Sequence, residues 1–249
     1  MNIPKLGEFK YPYPGKCHVE SNLKEKKGLL IEIEGLDGSG KSSQLKMIEE
    51  KLKKKYSKIY VGNFIQSEYI RDILLRTKYE NCDEYTFTFM YLMGLTNFYN
   101  YEVVKKLSEG YIVVLDRYID TIRSKALVKN IDNEWLDNIL SIYRKPDISI
   151  FIDVPPNICL ERKKKDNKIL SFWECGCEIG DDSLRFEYNS KLYENNFIEH
   201  QKKMRKIFID EYNSKFIIDG TKDKNEVNND IMNIIDDKIG ELYEWYFFA

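Results

Sequence analysis

Residues 35 to 43 read GLDGSGKSS, with Gly35, Gly40, Lys41 and Ser42 filling the fixed positions of the pattern G-x-x-x-x-G-K-[ST]. Such a loop wraps a phosphate chain with inward-pointing backbone N–H groups, which require glycine where a Cβ would collide. Lys41 then reaches the β and γ phosphates as a mobile cation, and the Ser42 hydroxyl ligates Mg²⁺. The expected phosphate cradle comprises Gly35, Leu36, Asp37, Gly38, Ser39, Gly40, Lys41, Ser42 and Ser43. The apolar run LLIEIE before it and helical periodicity after it supply the strand–loop–helix context that the motif needs.

A second constellation follows the run GYIVVL. Asp116, Arg117 and Tyr118 place a carboxylate and a guanidinium at what reads as a strand end. An aspartate there can hold the water shell of the metal or orient an acceptor. An arginine can bridge donor and acceptor phosphates, because its planar fork matches the charge that builds on a transferring phosphoryl group. Lys41, Asp116 and Arg117 are therefore the candidate catalytic residues, and Ser42 and Asp116 the candidate metal ligands.

The elements that must position these groups alternate along the chain. Strand-length apolar runs lie at 28–34, 58–61, 111–115, 147–153 and 215–219. Helices are expected at 42–55, 84–108, two within 118–142 divided near Asn130, 155–167, 183–212 and 223–238. This order predicts an α/β fold with a five-stranded parallel sheet, helices on both faces, and ligands beyond the C-terminal strand ends. Residues 1–27, with Pro12 and Pro14, read as an N-terminal arm, 28–240 as one domain, and 241–249 as a C-terminal tail. Residues 162–182 mix a basic run with aromatic and small residues, and read as either a lid or a solvated helix end.

Composition narrows the function classes. The net charge of −2 provides no global field to draw the chain to nucleic acid or membranes, so a small anionic ligand needs local positive charge. No apolar run approaches the roughly 20 residues of a membrane span, and MNIPKLGEFK lacks a signal-peptide core, so a cytoplasmic location is expected. Five irregularly spaced cysteines fit reduced thiols, and the Cys175–Cys177 pair departs from zinc-site spacing.

At three segments the chain resembles the thymidylate kinase family of P-loop nucleoside monophosphate kinases. IEGLDGSGKSSQL is similar to its first strand, phosphate loop and helix start; LSEGYIVVLDRY to its third strand and DRY motif; PDISIFIDVPPNICLERKKK to its fourth strand and lid entrance. The resemblance implies a three-layer P-loop NTPase fold with a lid, ATP and Mg²⁺ as donor and cofactor, dTMP as acceptor, and a homodimer formed through the 84–108 helix. It implies that Asp37 contacts the acceptor sugar, that Arg117 binds the acceptor phosphate with Thr121 nearby, and that the second cation comes from Arg162, Lys163, Lys164, Lys165 or Lys168.

The departures from the family fall on the acceptor side. In place of an Arg-Glu-Pro-Gly-Gly-like loop the chain has VGNFIQSEYIRDILL, where Arg71 can substitute. Leu92 and Thr96 occupy positions at which the family carries an aromatic and an arginine, leaving Tyr91, Asn97, Phe98 and Tyr99 to supply a stacking face and an amide. Ser124, Lys125 and Ala126 replace the family's Ala-Tyr-Gln. The residues alone thus leave open dTMP, another nucleoside monophosphate, a deoxynucleoside, or a nucleotide-binding protein without acceptor chemistry.

Overall fold

The computed structural model of the chain describes residues 28–66, 83–176, 191–210 and 216–248. The arm at 1–27, Arg71 and residues 177–182 of the 162–182 segment lie outside these residues. Five strands form one parallel sheet in the order β2-β3-β1-β4-β5: β1 Leu29–Gly35, β2 Ile59–Gly62, β3 Ile112–Asp116, β4 Ile148–Asp153 and β5 Phe216–Asp219. Each begins one residue later than its apolar run suggests. The chain leaves β1 on one side for β2 and β3 and returns on the other for β4. The C-terminal ends of β3, β1 and β4 therefore flank the topological switch point, where a crevice forms.

The central strands are buried along almost their whole length, as expected of a sheet covered on both faces. The two-residue period of β1 sorts its side chains. Leu29, Ile31 and Ile33 enter one apolar core, with Leu45, Ile48 and Leu52 of α1 (Lys41–Lys55) and Ile231 and Ile235 of the C-terminal helix. Leu30 points into the opposite core, with Val113, Leu115 and the aromatics of α2 (Glu84–Phe98). Glu32 and Glu34 share that second face and are completely buried.

These two carboxylates are satisfied by one helix start. Helix α4 (Ile119–Val128) follows α3 (Val104–Ser108), and its N-cap, Tyr118, provides no side-chain cap. Glu34 acts in its place: its Oε1 accepts from the N–H of Tyr118 and of Thr121, both at 3.1 Å, and its Oε2 from the Thr121 hydroxyl at 2.7 Å. Glu32 accepts from Asp120 N at 3.2 Å and from the Ser149 hydroxyl at 3.1 Å. Negative charge beneath the first turn of a helix also complements its dipole. The segment 116–121 is thereby fixed to the strand that leads into the phosphate loop.

The remaining helices start on local signals. Asp83 caps α2 by accepting from Thr86 N at 2.9 Å, and Asp132 caps α5 (Asn133–Leu140) by accepting from Trp135 N at 2.7 Å. Pro156 opens α6 (Pro156–Lys165) at a position that needs no N–H donor. The long helix expected at 84–108 is continuous, but Tyr99–Val103 between α2 and α3 is wound as π-helix. After α7 (Lys191–Asp210) and β5, α8 (Lys224–Phe248) runs beyond the expected stop at 238. Gln44 of α1 donates to the Lys224 carbonyl at 2.9 Å, joining the first and last helices.

Replacing Glu34 with alanine strips several buried donors of their acceptor at once. Urea denaturation of Glu34→Ala should show a loss of about 3 kcal/mol. A loss below about 1 kcal/mol, within the range of an ordinary surface substitution, would show that the carboxylate does not anchor α4.

Candidate active site

The phosphate loop joins the end of β1 to α1, whose N-cap is Gly40 at φ 98° with no side-chain cap and no acidic residue in the first turn. The first N–H groups of the helix thus face the crevice without a competing carboxylate. Gly38 is doubly constrained: its φ is +95°, and a Cβ there would lie 2.6 Å from the Cys159 carbonyl oxygen of α6. Lys41 is buried, and its ammonium donates to the carbonyls of Gly35 at 2.7 Å and Leu36 at 2.9 Å. Burial, followed by the positive charge of Arg117, pushes its pKa down to about 8 against the pull of Asp37 and Asp116.

Arg117 stands at the end of β3 with φ 69°, a left-handed conformation that costs a non-glycine residue on the order of 1–2 kcal/mol. Its own N–H donates to Ile33 O at 3.2 Å, and the Glu34 clamp on Tyr118 and Thr121 holds the next turn. The result aims the guanidinium back at the phosphate loop: Nη2 meets Asp37 Oδ1 at 2.5 Å and Nη1 donates to Thr121 Oγ1 at 3.2 Å. Burial would raise the Asp37 pKa, but Arg117, helped by Lys125, Lys41 and Lys163, outweighs it and keeps the carboxyl ionised. Thr121 is fully buried between Glu34 and Arg117, where it orients the arginine from below.

Asp116 accepts from Asn63 Nδ2 at 3.0 Å through Oδ2, while its Oδ1 is buried without a hydrogen-bond partner. An orphaned carboxylate oxygen beside a phosphate cradle fits a hydrated divalent cation, and the exposed Ser42 at the start of α1 offers the hydroxyl that such an ion prefers. Asn63 was not among the expected site residues. Its signal is positional, since it follows the last residue of β2, at the same sheet edge as the other motifs.

The basic run at 162–168 resolves into separate roles. Arg162 sits on the phosphate loop, donating to Ser39 O at 3.1 Å and to Gly220 O at 2.9 Å. Lys163 is buried and paired with Glu174 at 2.7 Å, Lys164 is drawn away to Glu194 at 2.5 Å, and Lys168 pairs with Asp166 at 2.9 Å. Lys165 lines the cavity. Arg162 and Lys163 are thus held against the body of the protein, while residues 164–168 are exposed. A 3₁₀ turn at Phe172–Cys175 returns Trp173 onto Phe87 of α2, with ring centroids 4.1 Å apart and planes 23° from parallel.

Tyr91 joins this aromatic wall, 4.4 Å from Phe87 and 5.9 Å from Phe64 between ring centroids. Burial raises its pKa, so the phenol stays neutral. The other aromatics considered for stacking face elsewhere. Phe98 packs on Tyr60, and Tyr99 is buried edge-on to Tyr143. Thr96 bonds to the Tyr143 hydroxyl at 2.7 Å.

A cavity of about 700 Å³ is lined by residues 37–44, Asp116, Arg117, Arg162, Lys163, Glu174, Gly220 and Lys222–Lys224. Basic side chains outnumber acidic ones around it, which supplies the local positive charge that the overall composition lacks. The anion-binding loop, including Asp37, lines it together with Asp116 and Arg117.

Comparison with known proteins matches residues 33–231 to the model of the thymidylate kinase family. A protein of Saccharolobus solfataricus named "Probable thymidylate kinase 2" is 31% identical over 218 residues, covering 86% of this chain and 98% of that protein. "Thymidylate kinase" of Thermosipho melanesiensis is 30% identical, covering 84% and 98%, and that of the Aster yellows witches'-broom phytoplasma is 26% identical, covering 87% and 99%.

The depressed Lys41 pKa has a pH signature. Near and above pH 8 part of the free protein holds a neutral Lys41. A bound triphosphate favours the charged form and restores the proton, so binding of ATP takes up protons at pH 8–9 and weakens as pH rises through that window. Calorimetry in buffers of different ionisation enthalpy should detect the uptake, and Lys41→Met should abolish it. Uptake that persists unchanged in the variant would assign it to another group.

Proposed function

This chain belongs to the thymidylate kinase family, and from that premise we propose that it transfers the γ-phosphoryl group of ATP to dTMP, giving dTDP and ADP. The observation that carries the site assignment is the Arg117–Asp37 contact, which joins the acceptor side to the phosphate loop within one ion pair. The names of the relatives support dTMP as acceptor.

In this reading residues Gly35–Ser43 hold the ATP phosphates, and Lys41 leaves the Gly35 and Leu36 carbonyls for the β and γ oxygens. Ser42 and Asp116 hold Mg²⁺, which supplies charge neutralisation on the phosphates when bound. Arg117 stabilises the transferred group between the attacking phosphate oxygen of dTMP, which forms the new P–O bond, and the departing bridge oxygen of ADP. Asp37, kept ionised, accepts from the acceptor's sugar hydroxyl. Thr121 positions Arg117, and the wall of Phe87, Tyr91 and Trp173 offers the base an apolar face. Arg162, already on the loop, is the cation that closes the donor side. Arg71 remains a candidate for the acceptor.

A homodimer fits a stripe on α2, where Tyr85, Phe89 and Met93 are about half exposed at successive four-residue intervals. No helix among the described residues is long and apolar enough to cross a membrane. The buried free thiol of Cys159 fits a reducing, cytoplasmic setting.

An ADP-release assay with Mg-ATP against all nucleoside and deoxynucleoside monophosphates and the free deoxynucleosides should select dTMP. Arg117→Lys keeps the charge but loses the fork, and should lower kcat by about a hundredfold or more. Preference for another acceptor would overturn dTMP, and full activity with lysine would overturn the bridging role. Light scattering should find a dimer that Phe89→Lys converts to monomer. A monomeric wild type would remove the dimer proposal.

A further inference from the structure

One cation on the acceptor side has no role in the scheme above. Lys125 lies one helical turn beyond Thr121 on α4, so it shares a helix face with the residue that orients Arg117. Helical side chains lean towards their N-terminus, which directs the ammonium back towards the Arg117 guanidinium. Its Nζ is 6.0 Å from the centroid of the Tyr91 ring. The side chain is half-buried.

Among the described residues Lys125 has no carboxylate at ion-pair distance. The nearby acids are committed elsewhere, Asp37 to Arg117 and Glu174 to Lys163. Burial depresses the Lys125 pKa; Asp37 pulls it up and Arg117 pushes it down. His200, which burial, Lys125 and Lys129 hold neutral with a pKa of about 3, adds no further positive charge. Arg117, just before α4, and Lys125, two turns into it, thus lie on the side that Thr121 occupies; Asp37, Glu174 and Glu34 act on Lys125 only from beyond ion-pair distance. Lys125 is therefore left without a direct anionic partner, and a monophosphate dianion beside Arg117 supplies one.

We propose that Lys125, together with Arg117, clasps the monophosphate of the acceptor, making Lys125 a determinant of monophosphate over unphosphorylated nucleoside. The proposal rests on the nucleoside monophosphate kinase reading. As a point charge on a flexible stem, the ammonium follows the phosphate without dictating its orientation, and Arg117 provides the orienting fork.

The test compares Lys125→Gln and Lys125→Arg with wild type in steady-state kinetics, and in calorimetric binding of dTMP and of thymidine. Lys125→Gln should raise KM for dTMP by roughly tenfold to a hundredfold. KM for ATP and the affinity for thymidine should stay unchanged, and Lys125→Arg should recover most of the loss. Equal weakening of thymidine and dTMP would mean that Lys125 reads base or sugar, and overturns the proposal, as does an unchanged KM. A wild type that binds ATP but neither binds nor phosphorylates any nucleoside monophosphate removes the kinase reading itself, and the Lys125 assignment with it. A wild type active on dTMP with an indifferent Lys125→Gln removes only the assignment.

Discussion

The site depends on one carboxylate that never reaches the cavity. Glu34 sits on the central strand, completely buried, and takes the first donors of α4. Without that anchor nothing local would start the helix, because Tyr118 is no cap and Arg117 must adopt a strained left-handed conformation. The same strand continues directly into the phosphate loop. The phosphate loop and Arg117 are therefore referenced to one rigid element, and their separation is set by sheet register rather than by side-chain flexibility.

Electrostatics follow from this geometry. A chain of net charge −2 concentrates cations at the end of its sheet and offsets them with carboxylates that have specific partners. Asp37 holds Arg117, Glu174 holds Lys163, and the carbonyls of Gly35 and Leu36 hold Lys41. Each of these contacts is one that a phosphate oxygen can replace. The free structure keeps its basic groups from repelling one another by lending them temporary partners, so binding exchanges contacts instead of creating charge in an apolar setting.

Much of this was legible in the sequence because it is written locally. A phosphate loop needs its glycines, lysine and serine within eight positions, and a buried parallel strand shows as an apolar run, so the cradle and all five strands could be read directly. What escaped depends on chain segments far apart. Nothing near Asn63 announces Asp116, and nothing near Trp173 announces Phe87. The basic run looked uniform, yet its lysines and arginine were divided by partners at Ser39, Glu174 and Glu194. Glu32 and Glu34 did carry a signal, as two acids alternating in a central strand, a pattern that requires buried donors opposite. Helix ends were less legible: α8 continues ten residues past its expected stop at 238, since apolar spacing persists to Phe248.

The Trp173–Phe87 stack joins the turn after the basic run to α2. Any movement that parts these two segments must unstack the indole, transferring it from an aromatic surface to water. Indole emission shifts in wavelength and intensity with such a change; Trp135 of α5 also touches α2, but through Tyr85 and Phe89 rather than Phe87. The molecule thus has a native optical probe at the contact between this turn and α2, through which their relative motion can be timed in an unlabelled protein.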